Sequence, residues 1–173
     1  MSYHDESRYR AQGYAEQHAM ALGDELGHGV HGIVFVTEGQ SQKGGVPLRS
    51  AVKAYQDETC YCRERDVYLR LKKHKVKEIR GCHVPQLIRY DDDWLIIEMT
   101  MVKRPFVLDF GGAYLDKAPD FSDEVMADWH VEKREQFGER WPEVQAILRI
   151  LETYGIFMID VHPGNIAFAE PKR

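Results

Sequence analysis

The most constraining stretch of this 173-residue sequence is Ala-Val-Lys-Ala-Tyr at residues 51–55. Its composition predicts a central β-strand, one face of which must be buried. A lysine is rarely found there, because a buried or half-buried ammonium needs anionic partners. The fold must therefore bring a carboxylate, a bound anion or both to Lys53.

The segment that follows offers the carboxylate. Residues 57–74, DETCYCRERDVYLRLKKH, predict a helix on which Tyr61, Glu64, Tyr68 and Leu71 recur at three- and four-residue spacing. Glu64 thus points inward with apolar neighbours, whereas the rival carboxylates Glu58 and Glu78 sit less well on that face. Upstream, a glycine cluster lies between apolar stretches in LGDELGHGVHGIVFVTE, and IVFV is a strongly β-prone run. Downstream, LIRYDD and DWLIIEM predict two strands joined by a tight acidic turn. The expected fold class is α+β, with a small, mostly antiparallel N-terminal sheet carrying one helix, followed by a reduced, mainly helical part.

Three segments follow from this pass: a helix or loose arm over 1–20, the sheet with its helix over 21–102, and the helical part over 103–173. In the last, FSDEVMADWHVEKREQF predicts one helix, with a break near His130 as the alternative. WPEVQAILRILETYG predicts another, with Pro142 in its first turn and Gly155 stopping it.

Composition narrows the partners. A net charge of −5 argues against nucleic acid. The lack of a long apolar run argues against a membrane, and the polar start MSYHDESRYR lacks a signal-peptide core, which makes the cytoplasm the expected location. Cys60, Cys62 and Cys82 are expected to be reduced thiols. With His83 they make a conceivable zinc set, but Cys-x-Cys on a helix points its thiols roughly 200° apart.

Two further motifs carry chemistry. GHGVHGIV, from Gly27 to Val34, has glycines at 27, 29 and 32. It leads into a strand rather than a helix, so it suits a hairpin folded over phosphates better than a dinucleotide-binding turn. IDVHPGNI places Asp160 five residues before Asn165, across a Pro163-Gly164 turn. That spacing lets a carboxylate take a hydroxyl proton while a nearby amide oxygen ligates Mg²⁺.

Taken in order, GHGVHGIV, AVK, CRERDVYLRLKK, DDDWLIIEM and IDVHPGNI resemble the protein kinase-like superfamily over about residues 22–169. The last motif is most similar to the loop of aminoglycoside phosphotransferase-like and atypical kinases. The resemblance implies an ATP-dependent phosphotransferase that uses Mg²⁺ and acts on an unidentified hydroxyl-bearing protein or small molecule. It also implies an ion pair between Lys53 and Glu64, with Asp160 as catalytic base and Asn165 as metal ligand. Gly27, Gly29, Gly32 and Val34 would cover the nucleotide, and Glu98, Met99 and Met101 would lie at a hinge where backbone groups meet adenine. The alternative function is a pseudokinase, a nucleotide-binding or protein-interaction module without turnover.

The sequence departs from the family pattern in two places. Met158 and Ile159 replace the usual residues before the loop aspartate. The metal-binding Asp-Phe-Gly, which normally follows the loop asparagine by about a dozen residues, has no room in the eight residues after Asn165. The triplet instead occurs at Asp109–Gly111, after the apolar Phe-Val-Leu at 106–108. A permuted arrangement is expected, in which residues 105–109 pair antiparallel with 165–169 and Asp109 shares a metal with Asn165.

Overall fold

The computed structural model describes residues 3–29, 31–39 and 48–169. In chain order the elements are α1 (Tyr3–Gln17), β1 (Met20–Gly29), β2 (Gly32–Gly39), β3 (Leu48–Tyr55), α2 (Glu58–Lys73), β4 (Glu78–Ile79), β5 (Cys82–His83), β6 (Leu87–Asp91) and β7 (Ile96–Met99). After β7 come β8 (Phe106–Val107), β9 (Tyr114–Leu115), α3 (Asp123–Phe137), α4 (Trp141–Thr153), β10 (Ile156–Phe157) and β11 (Ile166–Ala167). The architecture is α+β, as the sequence indicates.

An antiparallel five-stranded sheet in the order β1-β2-β3-β7-β6 forms the first half. Strand alternation gives it two different covers. Val52, Ala54 and Ile96 point toward α1, with Ala11 and Tyr14 from the helix. Ala51, Tyr55, Ile97 and Met99 point the other way, into a larger core shared with α2, α4 and the short strands. That core is continuous across residue 103, so the helical part packs onto the sheet's inner face.

Residues 3–17 resolve the open question of helix or arm in favour of a helix. Helix α1 buries Ser7, Ala11, Tyr14 and Ala15 at i, i+4, i+7 and i+8 spacing. Gly13 lets the Trp94 ring lie against the helix, since a Cβ there would stand 2.4 Å from that ring. Helix α2 starts at Asp57, whose side chain accepts a hydrogen bond from the Cys60 amide at 2.8 Å. It buries Tyr61, Glu64, Val67, Tyr68 and Leu71, which includes all four residues expected inside.

In the helical half the alternative at His130 is decided in favour of one helix. Helix α3 runs unbroken through His130, with Ser122 as its N-cap. Helix α3 buries only Lys133 and Phe137 and so has no need of a clean apolar stripe. Helix α4 does follow its stripe, burying Trp141, Val144, Ile147, Leu148 and Leu151, and Gly155 beyond it adopts φ 71°.

Strands β8 and β11 pair antiparallel, with Val107 opposite Ile166 and Phe106 opposite Ala167. This is the pairing expected between 105–109 and 165–169, shorter than drawn and extended by a bond from the Leu108 amide to the Asn165 carbonyl at 2.8 Å. No helix among the described residues is long and apolar enough to cross a membrane.

Candidate functional site

A cavity of about 490 Å³ opens between the glycine hairpin, the inner face of the sheet and the β8–β11 pair. Its walls contain Gly27, Gly29, Gly32, Val34, Lys53 and Glu64 from the first half, and Asp109 and Asn165 from the second. Met99, Thr100, Met101 and Val102 line it where β7 leaves the sheet. Residues more than a hundred positions apart thus share one wall.

Lys53 stands at the centre. Its ammonium donates to Glu64 Oε2 and to Asp109 Oδ1, both at 2.8 Å. Burial alone would lower the lysine pKa, but the two carboxylates outweigh it and raise the value, so Lys53 stays charged. Glu64 is fully buried and also accepts from the Phe110 amide at 3.2 Å. Asp109 remains 31% exposed, so one ammonium faces two carboxylates and the second of them opens onto the cavity. For Asp109 the desolvation that raises its pKa is outweighed by Lys53, and the carboxyl lies below its ordinary value.

The backbone around Asp109 is shaped for this contact. Asp109 adopts φ 62°, a left-handed conformation that aspartate tolerates better than most residues. Phe110 is fully buried and meets the Tyr68 ring edge-on at 5.5 Å, and the Tyr68 hydroxyl donates to Met99 Sδ at 3.3 Å. The Asp-Phe-Gly triplet is therefore clamped to α2. Gly111 is required by close approach, because a Cβ there would sit 3.0 Å from both Glu64 Oε2 and His31 Cδ2.

The loop at 160–165 is built differently. Asn165 is buried, and its amide holds the loop closed: Nδ2 donates to the Asp160 carbonyl and Oδ1 accepts from the His162 amide at 2.9 Å. Oδ1 retains one lone pair for a cation. Asp160 is exposed, and its Cβ lies 3.0 Å from the Cβ that a side chain at Gly112 would carry. The general-base candidate thus sits directly beside the segment that delivers Asp109.

Glu98 does not line the cavity. Strand alternation turns its side chain away from the cavity, where it accepts from Tyr14 at 2.7 Å, Ser50 at 2.7 Å and Arg89 at 2.8 Å. Its backbone lies between Val52 and Arg89 in the sheet. Met99 and Met101 do line the cavity, and Thr100 and Val102 between and after them were missed. His31 stands beside the site without lining the cavity, its Nδ1 3.3 Å from Cys60 Sγ. No spacing rule marks such a residue; only the hairpin's curl toward α2 brings it there. Cys60, Cys62, Cys82 and His83 do not assemble as a zinc set, since no three of them bring ligand atoms together.

No protein-family model matches the sequence, and no curated protein matches it.

Proposed function

We propose that the chain is a kinase-like, ATP-dependent phosphotransferase, acting on a hydroxyl-bearing acceptor. The observation that carries this reading is the Lys53 ammonium held between buried Glu64 and cavity-facing Asp109. The three groups sum to one negative charge at the cavity wall, and carboxylate oxygen is the donor that Mg²⁺ prefers. A site of this kind suits a magnesium–phosphate ligand better than a free anion.

In this reading Lys53 binds phosphate oxygens while Glu64 fixes its ammonium. Asp109 and the remaining lone pair of Asn165 Oδ1 would hold Mg²⁺, which supplies charge neutralisation on the phosphates. The glycines at 27, 29 and 32 let the hairpin backbone approach the phosphates, and Val34, Met99 and Met101 offer apolar contact to a base. Asp160 accepts the proton of the acceptor hydroxyl as its oxygen bonds to the γ-phosphorus and the bond to the ADP oxygen breaks.

Two observations favour the second reading, a pseudokinase that binds nucleotide without turnover. Asn165 Oδ1 already serves the loop, and Asp160 lies outside the cavity's walls. Turnover of γ-labelled ATP separates the two. Asp160→Asn is expected to keep MgATP binding and to lose about 10²-fold or more in transfer or slow hydrolysis. Equal rates in the two proteins would leave the binding module as the function.

A further inference from the structure

Outside the cavity wall formed by Lys53, Glu64 and Asp109, the described residues contain one other convergence of ligating side chains. His4 lies in the first turn of α1, and Glu25 and His28 lie on β1. Glu25 reaches both: its Oε1 is 2.8 Å from His28 Nδ1 and its Oε2 is 3.7 Å from His4 Nδ1. The two imidazoles stand edge-to-face at 5.5 Å, and one ligand atom from each of the three residues falls within 4.8 Å of the others.

This convergence is not what a plain strand gives. Residues i and i+3 of a regular strand point to opposite faces. Pairing of β1 with β2 is irregular on both sides of Glu25, between Leu22 and Glu25 and again between Glu25 and Gly27. Such irregularities re-aim side chains, and here they put Glu25 and His28 on one side, facing His4.

We propose that His4, Glu25 and His28 form a binding site for one zinc-type divalent ion. Two imidazoles and a carboxylate are a donor set for zinc or cobalt, whereas Mg²⁺ and Ca²⁺ prefer oxygen alone. Around a tetrahedral ion with bonds of about 2.0–2.1 Å, neighbouring ligand atoms stand roughly 3.3 Å apart. One ligand atom from each residue already lies within 4.8 Å of the other two, and rotation of the exposed imidazoles closes the difference. The fourth position faces solvent. Because His28 also lines the cavity, the bound ion would tie the first turn of α1 to the glycine hairpin that roofs it.

The test uses the full chain, stripped with a chelator and kept in excess Mg²⁺. Titration with Zn²⁺ alone by calorimetry is expected to give one ion per chain. Its Kd should rise by roughly tenfold or more in His4→Ala and in Glu25→Gln, because each removes a ligand. Co²⁺ added in place of Zn²⁺ should give a visible ligand-field spectrum that both variants lose. A Cys60→Ser/Cys62→Ser/Cys82→Ser triple variant should bind Zn²⁺ as the wild type does. Thermal unfolding under chelator confirms that each variant is folded. Zn²⁺ affinity unchanged in both His4→Ala and Glu25→Gln, or lost in the triple cysteine variant, would overturn the site.

Discussion

The two faces of the five-stranded sheet each bury a glutamate, and the comparison between them separates structural charge from ligand-directed charge. On the outer face Glu98 takes hydrogen bonds from Tyr14, Ser50 and Arg89, and Thr37 supports Ser50 at 2.7 Å. Every hydrogen bond to that carboxylate comes from the protein itself, two of them from the buried Tyr14 and Ser50. On the inner face Glu64 holds Lys53, but Lys53 reaches on to Asp109, which opens onto the cavity. The first network is closed and needs nothing more. The second carries one uncompensated negative charge at a cavity wall, which a metal–phosphate ligand would complete.

Breaking the closed network is expected to have the largest effect on stability. Glu98→Ala leaves Tyr14, Ser50 and Arg89 without their acceptor, at a cost of about 2–4 kcal/mol. Arg89, which is 44% exposed, recovers part of its solvation and keeps the loss below the top of the range for buried pairs. Urea unfolding measures this, and nucleotide affinity of the folded protein should not change. A variant that folds normally but loses nucleotide would mean that Glu98 serves the cavity after all.

The complementary change sharpens the contrast. If MgATP binds as proposed, Lys53→Ala is expected to remove about 1.5–3 kcal/mol of the resulting stabilisation, read as a lost thermal shift. If MgATP protects this variant as it protects the wild type, Lys53 is a structural ion like Arg89. A smaller effect is expected from Tyr14→Phe. It removes one hydrogen bond to a charged acceptor, costs about 1.5 kcal/mol, and leaves nucleotide binding untouched.

Acid titration distinguishes the two faces by a different route. For both Glu98 and Asp109, burial raises the carboxyl pKa, and hydrogen bonds and nearby cations outweigh it. Both therefore titrate lower in the folded chain than in the unfolded one. Their contribution is complete above the unfolded carboxylate range, about pH 4–4.5, and is lost as pH falls through the folded values. Glu98→Gln should flatten the fall in stability below about pH 4.5. An unchanged acid slope would show that Glu98 has no share in it.

Much of the inner face was legible in the sequence because it obeys two short periods. Lys53 in an apolar strand and Glu64 on the apolar stripe of a helix follow from alternation and from 3.6-residue spacing, and the structure joins them at 2.8 Å. Asp109 was legible because an apolar strand leads into it, even though its partner strand lies some sixty residues later. Alternation also turns the Glu98 side chain outward: it pairs with Val52, on the face opposite Lys53. The outer cover was harder to read. Helix α1 packs through Ser7, Ala11, Tyr14 and Ala15, and small or polar residues leave no hydrophobic stripe to detect. The convergence of His4 with Glu25 and His28 was invisible for another reason, since it depends on strand irregularities that no spacing rule encodes.

The central claim is that the inner-face network is built to hold a cation together with phosphate. The most direct test is calorimetric titration of ATP into the wild type and Asp109→Ala, each with and without Mg²⁺. The account predicts that Mg²⁺ tightens ATP binding to the wild type by roughly tenfold or more, and that this gain vanishes in Asp109→Ala. An equal Mg²⁺ effect in the two proteins, or no ATP binding to the wild type at millimolar nucleotide, would contradict it.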